Sequence, residues 1–255
     1  MIHSTAIIHP SAKLGKNVSV GAFCLIDADV SIGDETVLES HVVVKGKTTI
    51  GKCNHIYQFA SIGEDCQDKK YAGEPTELMI GDNNIIRESV TIHRGTVQDK
   101  SVTKIGSNNL LMCFVHVAHD CVIGDNNILA TSAILAGHVH IGDWVIMGGA
   151  TAAHQFCRIG DHSFIGGGAI ILADVPPFVM LGNDCKPRGI NAEGLKRRGF
   201  DSDTILQIKR GYKILYRNGN RATVAVEKLL ELAGDTQEVR FLADFVTQSS
   251  RGIVR

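Results

Sequence analysis

The sequence predicts a mainly β protein: a parallel β-helix over residues 1–190, followed by an α-helical C-terminal domain over 191–255. Two patterns and one compositional fact lead there. Aliphatic residues recur every six positions through most of the chain, and the periodicity turns helical near Asn191. Apolar residues make up 44% of the 255 but aromatics only 5%, so the core has to be built from Ile, Val, Leu and Ala.

The six-residue period starts at Ile2 and runs through Ile8, Leu14, Val20, Ile26, Ile32, Leu38, Val44, Ile50 and Ile56 to Ile62. A small residue precedes most of these by two positions, as Ala6, Ala12, Cys24 and Ala60 do, and Gly often follows. The series resumes at Ile80, Ile86 and Ile92. It shifts by one residue and continues from Ile105 to Ile171. This period is neither a helix's 3.6 nor the alternation of a long strand. It describes short straight segments joined by regular corners, each turning one large and one small residue inward, with three segments to a triangular coil. Cys24, Cys121 and Cys157 fall in the small inward slot and are expected to be core filler.

Two polar stretches interrupt the hexads, 64–79 (EDCQDKKYAGEPTELM) and 94–104 (RGTVQDKSVTK). The first is read as standing in for a full coil between Ile62 and Ile80. The second carries the one-residue shift. Insertions in a solenoid leave as loops on one face, often the binding face. After Pro176-Pro177 the hexads are expected to stop. Asp201 or Ser202 can cap a helix through ILQIKRGYKILYRN that ends at Gly219. VAVEKLLELAG and VRFLADFVTQ read as two more amphipathic helices, suited to closing the open end of the solenoid.

The seven cysteines are odd in number and include no CxxC pair, which argues against a disulfide framework or zinc knuckle and for a reducing compartment. No signal peptide and no membrane-spanning run is visible, so a cytoplasmic location is expected. The formal charge is -1, yet residues 186–221 hold ten Lys/Arg against three acids, a net of +7. Such a segment suits phosphates or an acidic protein. Nucleic acid is not expected, because aromatics for stacking are scarce.

Folded into coils of eighteen, the sequence sends His116, His119, His138 and His154 outward within one short arc. His119, Gly137 with His138, and His154 with Gln155 then stand on three successive levels of one edge, while His140 and His162 fall elsewhere. A single edge makes a shallow site, so a partner subunit is expected to supply the other wall, and a triangular prism packs naturally as a trimer. Three readings stay open: a zinc site, of the kind that β-helical carbonic anhydrases build; general-base catalysis by His119 oriented by Asp120; or a scaffold with a polar edge.

HVVVKGKTTIG, IYQFASIGED, QDKKYAGEPT, RESVTIHRGT, NNLLMCFVHVAHDC, LAGHV, HQFC, ADVPPF and NAEGLKRRGF, in this order along the chain, resemble the bacterial UDP-N-acetylglucosamine O-acyltransferases that begin lipid A synthesis. The resemblance implies a left-handed β-helix, a homotrimer, and transfer of an R-3-hydroxyacyl group from acyl carrier protein to the sugar 3-hydroxyl. It implies no metal and no cofactor beyond the phosphopantetheine that brings the acyl group. His119 would be the general base, Asp120 its orienting partner and the Gly137 N–H the oxyanion donor. Gln67, Asp68 and Lys70 would reach in from the first loop. His116, His138, His154 and Gln155 would complete the cleft across a subunit boundary. Asn191, Glu193, Arg197 and Arg198 resemble nucleotide-sugar contacts, with Arg198 on phosphate, and Gly167 falls where the family sets acyl length. Two stretches depart from the family pattern: MLGND (180–184) is one residue shorter, with Asp184 where some relatives have histidine, and GAIIL (168–172) is bulkier.

Overall fold

A computed structural model describes residues 1–255. The hexads form short strands, mostly of two residues, stacked into three sheets that face one another as a triangular prism. The first face runs from Ile7–Ile8 to Ile170–Ile171, the second from Lys13–Leu14 to Arg158–Ile159, and the third from Ser19–Val20 to Val179–Leu181. Every strand but the last pairs in parallel with the strand one coil away, as Ile134 and Leu135 do with Ala152 and Ala153. The coil is left-handed. Nearly every corner is turned by a non-glycine residue in the left-handed region, among them Phe23, His41, Asp120 and His138 at φ between 58° and 62°.

The inward aliphatics are fully buried, with Ile26, Leu38, Ile56, Ile86, Leu111 and Leu135 at 1% exposure or less. Cys24, Cys121 and Cys157 fill the small slot, as expected. The interior is not wholly apolar. On the edge between second and third faces, Asn54, Asn84, Asn109 and Asn127 point in, and each accepts from a backbone N–H of the next level at 2.7–2.9 Å. Backbone groups at the bends are thus paired inside the prism.

Both insertions leave from one edge, the one between first and second faces. The segment between strands is 65–76 in the first insertion and 94–101 in the second; Glu64, 77–79 and 102–104 are strand. The first insertion does not stand in for a coil. Ile62 lies on the first face and Ile80 on the second, so the loop adds twelve residues to one corner. Nor do the hexads stop at Pro176-Pro177. Val175 bridges to Ile159, and Met180 and Leu181 pair with Phe164 and Ile165 before Pro187–Ile190 turns back antiparallel.

Helix α1 spans Ala192–Arg197, α2 Ser202–Tyr216, α3 Ala222–Ala233 and α4 Gln237–Thr247. Asp201 caps α2, accepting from the Thr204 N–H at 2.8 Å. Leu215, Leu229, Leu242 and Val246 bind the last three helices together. Tyr212 and Val254 join the solenoid's own core, so the helices and the C-terminal tail close its last coil.

Outside the prism the faces differ. The third face shows Val37, Ile85, Leu110, Ile128, Ile146 and Phe164, and the first shows Ile7, Leu25, Val43, Ile134 and Ile170. The second shows Lys13, Thr49, Lys104, His140 and Arg158. On the edge between third and first faces, Phe23, Phe59 and Phe114 are about 60% exposed.

Candidate active site

The edge from which both insertions leave is also the histidine edge. His119, Gly137 and Gln155 occupy the same corner position on three consecutive levels, and the loops fold over them. Gln67, Asp68, His93, His116, Ala118, His119, Ala136, Gly137 and Gln155 line a cavity of about 360 Å³. His116 and His138 share an edge with His119 in one chain, so neither of them needs a subunit boundary to reach it.

His119 is 7% exposed and Asp120 1%. The His119 Nδ1 lies 2.9 Å from Asp120 Oδ2. A carboxylate only accepts, so Nδ1 carries the proton and Nε2 holds the lone pair. Asp120 is itself clamped by the second insertion. Both its oxygens accept from the Thr96 N–H at 3.0 Å, and Oδ2 accepts from the Thr96 hydroxyl at 2.6 Å. Burial works to raise the Asp120 pKa, but the hydrogen bonds from His119 and Thr96 prevail and hold it below the usual carboxylate range.

Gly137 packs against that imidazole so closely that a Cβ there would stand 2.5 Å from His119 Cε1 and 2.6 Å from Nε2. At such corners the backbone leaves one N–H without an acceptor in the chain. His138 N donates to His119 O, but Gly137 N donates to nothing. A free donor and a free imidazole lone pair are therefore held side by side.

The surrounding histidines are each oriented. His138 Nδ1 meets Asp99 Oδ2 at 2.9 Å, and the ring stacks on Phe156 at 4.4 Å. His116 Nδ1 meets the Thr91 hydroxyl at 2.7 Å; burial first, then the charge of His93, pulls its pKa below the ordinary imidazole value. His154 is exposed, with Arg251 of the C-terminal tail 3.3 Å away. Lys70 lines a second, outer cavity, and Asp68 and Gln155 line both.

Three participants escaped the sequence reading. His93 is 5% exposed and held by Asp65 O at 2.6 Å. Thr96 fixes Asp120. Arg94, 8% exposed, ties the first insertion to the coil by donating to Gly63 O, Asp65 and the Tyr71 hydroxyl. The phase of the hexads could have found His93: with the seven extra residues of the second insertion removed, it stands one level from Ala118 on this edge.

Asn191, Glu193, Arg197 and Arg198 are elsewhere. They belong to the edge between second and third faces, where Arg198 lies 5.1 Å over the Trp144 ring and donates to His162 Nδ1 at 3.2 Å. Burial, helped by Arg198, pushes His162 down to about 4, so it accepts that bond as a neutral ring. Arg197 and Arg198 line a cavity of about 620 Å³ with Trp144 and His162. Gly167 is exposed on the third edge, between third and first faces. One chain therefore brings the histidines, Gly137 and the loop residues together, and leaves Arg198 and Gly167 apart from them.

Residues 174–254 match the family model for domain 2 of the UDP-N-acetylglucosamine O-acyltransferases, and 103–137 match the bacterial transferase hexapeptide. LpxA from Acinetobacter baumannii is 52% identical over all of this chain and 99% of its own, with a TM-score of 0.97. The chain belongs to the UDP-N-acetylglucosamine O-acyltransferase family. The LpxA of Moraxella catarrhalis matches at 49% identity and a TM-score of 0.97, covering 100% of this chain and 99% of its own. The UDP-N-acetylglucosamine acyltransferase of Francisella novicida matches at 46% and 0.98, covering 100% and 94%. In this member of the acyltransferase family, the ligand atoms of His119, Asp120 and His138 lie within 4.8 Å of one another and are the group that could hold a metal. Both Nδ1 atoms are already spent on carboxylates.

Proposed function

We propose that this protein moves an R-3-hydroxyacyl group from acyl carrier protein to the 3-hydroxyl of UDP-N-acetylglucosamine, the first step of lipid A synthesis. The observation that carries the mechanism is the His119 lone pair beside the Gly137 N–H. His119 Nε2 takes the proton from the sugar hydroxyl as its oxygen attacks the thioester carbonyl. The oxyanion of the tetrahedral intermediate sits on the Gly137 N–H. When the intermediate collapses, the carbon–sulfur bond breaks and the thiolate leaves with the proton. No step needs a metal, a cofactor or an acyl-enzyme.

The active unit in this proposal is a trimer. The first and third faces of the prism are apolar outside and the second is polar, with exposed phenylalanines on the edge where the apolar faces meet. Three copies around an axis on that edge would bury both apolar faces and leave the polar one to solvent. The histidine edge would then face the second-to-third edge of the next copy, bringing the partner subunit's Arg198 across a V-shaped cleft from His119. That supports roles for Asn191, Glu193, Arg197 and Arg198 in holding the nucleotide. Along the first face, Ile134, Ala152 and Ile170 rise in register above His116, an apolar track for the acyl chain within reach of the partner subunit's Gly167. The basic ridge of Lys209 and Lys213 on α2, with Arg217 just past its end, suits the acidic carrier.

The test is turnover of R-3-hydroxyacyl carrier proteins of graded chain length with UDP-N-acetylglucosamine, before and after extensive EDTA treatment, with product mass read by spectrometry. A product heavier by one hydroxyacyl group, formed at an unchanged rate after EDTA, is the expected result. No product, or activity lost with stoichiometric zinc, would overturn the reading.

A further inference from the structure

The outer cavity holds more positive charge than its own acids answer. It encloses about 580 Å³ and opens onto the second face, the one left to solvent in the proposed trimer. His140 and Arg158 project outward from that face on adjacent levels, directly in register. Lys100 overhangs them from the second insertion, and Ser250 borders them from the C-terminal tail. Neither Lys100 nor Arg158 is in an ion pair. The cavity's two carboxylates are engaged: Asp99 holds His138 at 2.9 Å, and Asp68 accepts from its own loop at the Lys70 N–H, 2.9 Å. The Arg158 guanidinium lies 4.6 Å over the Phe245 ring, which fixes its direction without neutralising it. Burial, then the charges of Lys100 and Arg158, keep His140 below the ordinary imidazole value. At neutral pH it is a neutral ring with one N–H to donate, and it makes no hydrogen bond within the chain.

We infer that Lys100, His140 and Arg158 form an anion site for the phosphodiester on the pantetheine arm of the acyl donor. The inference rests on the acyl transfer proposed above. Two fixed cations and one neutral donor fit the single negative charge and free oxygens of a diester. The location decides between the two phosphates that the substrates would bring. A carrier protein stays in solvent and threads only its arm inward. The way from the second face to His119 crosses this cavity and passes Asp68 and Gln155, which line both cavities. The diphosphate of a sugar nucleotide has Arg197 and Arg198 at the other edge.

The experiment compares acyl-4′-phosphopantetheine with acyl-pantetheine, which lacks the phosphate, on the wild type, Lys100→Ala, Arg158→Ala and the double variant. A charge-assisted hydrogen bond contributes ~1.5–3 kcal/mol, so the wild type should prefer the phosphorylated donor by ~10-fold or more in kcat/KM. The preference should shrink in each single variant and vanish in the double one. Arg158→Lys should keep part of it. Equal use of both donors by the wild type would overturn the inference, as would an undiminished preference in the double variant. A rise in the KM for the sugar nucleotide with the donor preference intact would give the site to the other substrate. Calorimetric titration with 4′-phosphopantetheine needs no turnover: binding that the double variant loses supports the anion site even if the wild type transfers no acyl group, and absence of binding in the wild type overturns it.

Discussion

Gly137→Ala isolates the geometry on which the proposed chemistry depends. Gly137 has a negative φ, so alanine fits the backbone there without strain. The added Cβ would stand 2.5–2.6 Å from the His119 ring, where ordinary contact is about 3.5 Å or more. The backbone around it is locked by the coil's hydrogen bonds, so the ring has to retreat by about 1 Å. That motion strains the 2.9 Å contact with Asp120 and takes Nε2 away from the free N–H. Misplacing a catalytic group by such a distance costs ~10²-fold. The expected outcome is a fall of that order in kcat, with an oligomeric state and a circular-dichroism spectrum like the wild type's. The assay is steady-state release of the carrier thiol, alongside thermal melting. If kcat stayed within threefold of the wild type while a crystal structure placed the methyl against the ring, the coupling of Gly137 to His119 would be refuted.

His119→Ala should lower kcat by ~10²–10⁴-fold, the usual contribution of a general base, and a folded variant keeping half its rate would end that role. Asp120 has a depressed pKa, so its stabilisation is complete above the usual carboxylate range and fades as pH falls through its folded value. Denaturant melts should therefore separate wild type from Asp120→Asn most at pH 7 and progressively less below about pH 4. Asn109→Val strands the Asn127 N–H and the Gly124 carbonyl inside the prism, at about 1–3 kcal/mol each in unfolding free energy. Lys213→Glu with Arg217→Glu should raise the KM for the carrier protein and flatten its salt dependence, leaving the KM for the nucleotide near the wild-type value; damage to the latter instead would move the carrier to another surface.

The solenoid was legible because a six-residue period has few structural meanings, and each inward aliphatic reports its own level. The first insertion was misread for a related reason. Its eighteen-residue gap from Ile62 to Ile80 equals one coil, and only strand pairing separates a lost coil from a long corner. Pro176-Pro177 looked like a terminus but opens an ordinary six-residue corner, since Val175 pairs with Ile159 and Leu181 with Ile165. His119, Gly137 and Gln155 could be stacked by counting, because no insertion lies between them. Counting straight through misplaces His93, because the seven extra residues between it and Ala118 have to be removed first. Thr96, Asp99 and Arg251 lay beyond periodicity altogether, since loop and tail conformations decide where they land.

The prism has two unlike ends. Helices and tail seal the last coil, but at the first one Met1, Ile2 and Ile7 are 93%, 54% and 66% exposed, and the backbone there has a neighbour on one side only. Each level leans solely on the next, so loosening can begin at residue 1 and travel upward like a zipper. Deuterium uptake should register this as a gradient, rapid at Ile8, slower at Ile26 and slowest beyond Leu111. It also leaves a bare strand rim that another chain could extend. The N-terminal coil is thus where this molecule would fray in storage and where fibrous self-association would nucleate, far from the cleft in which selection for turnover would act.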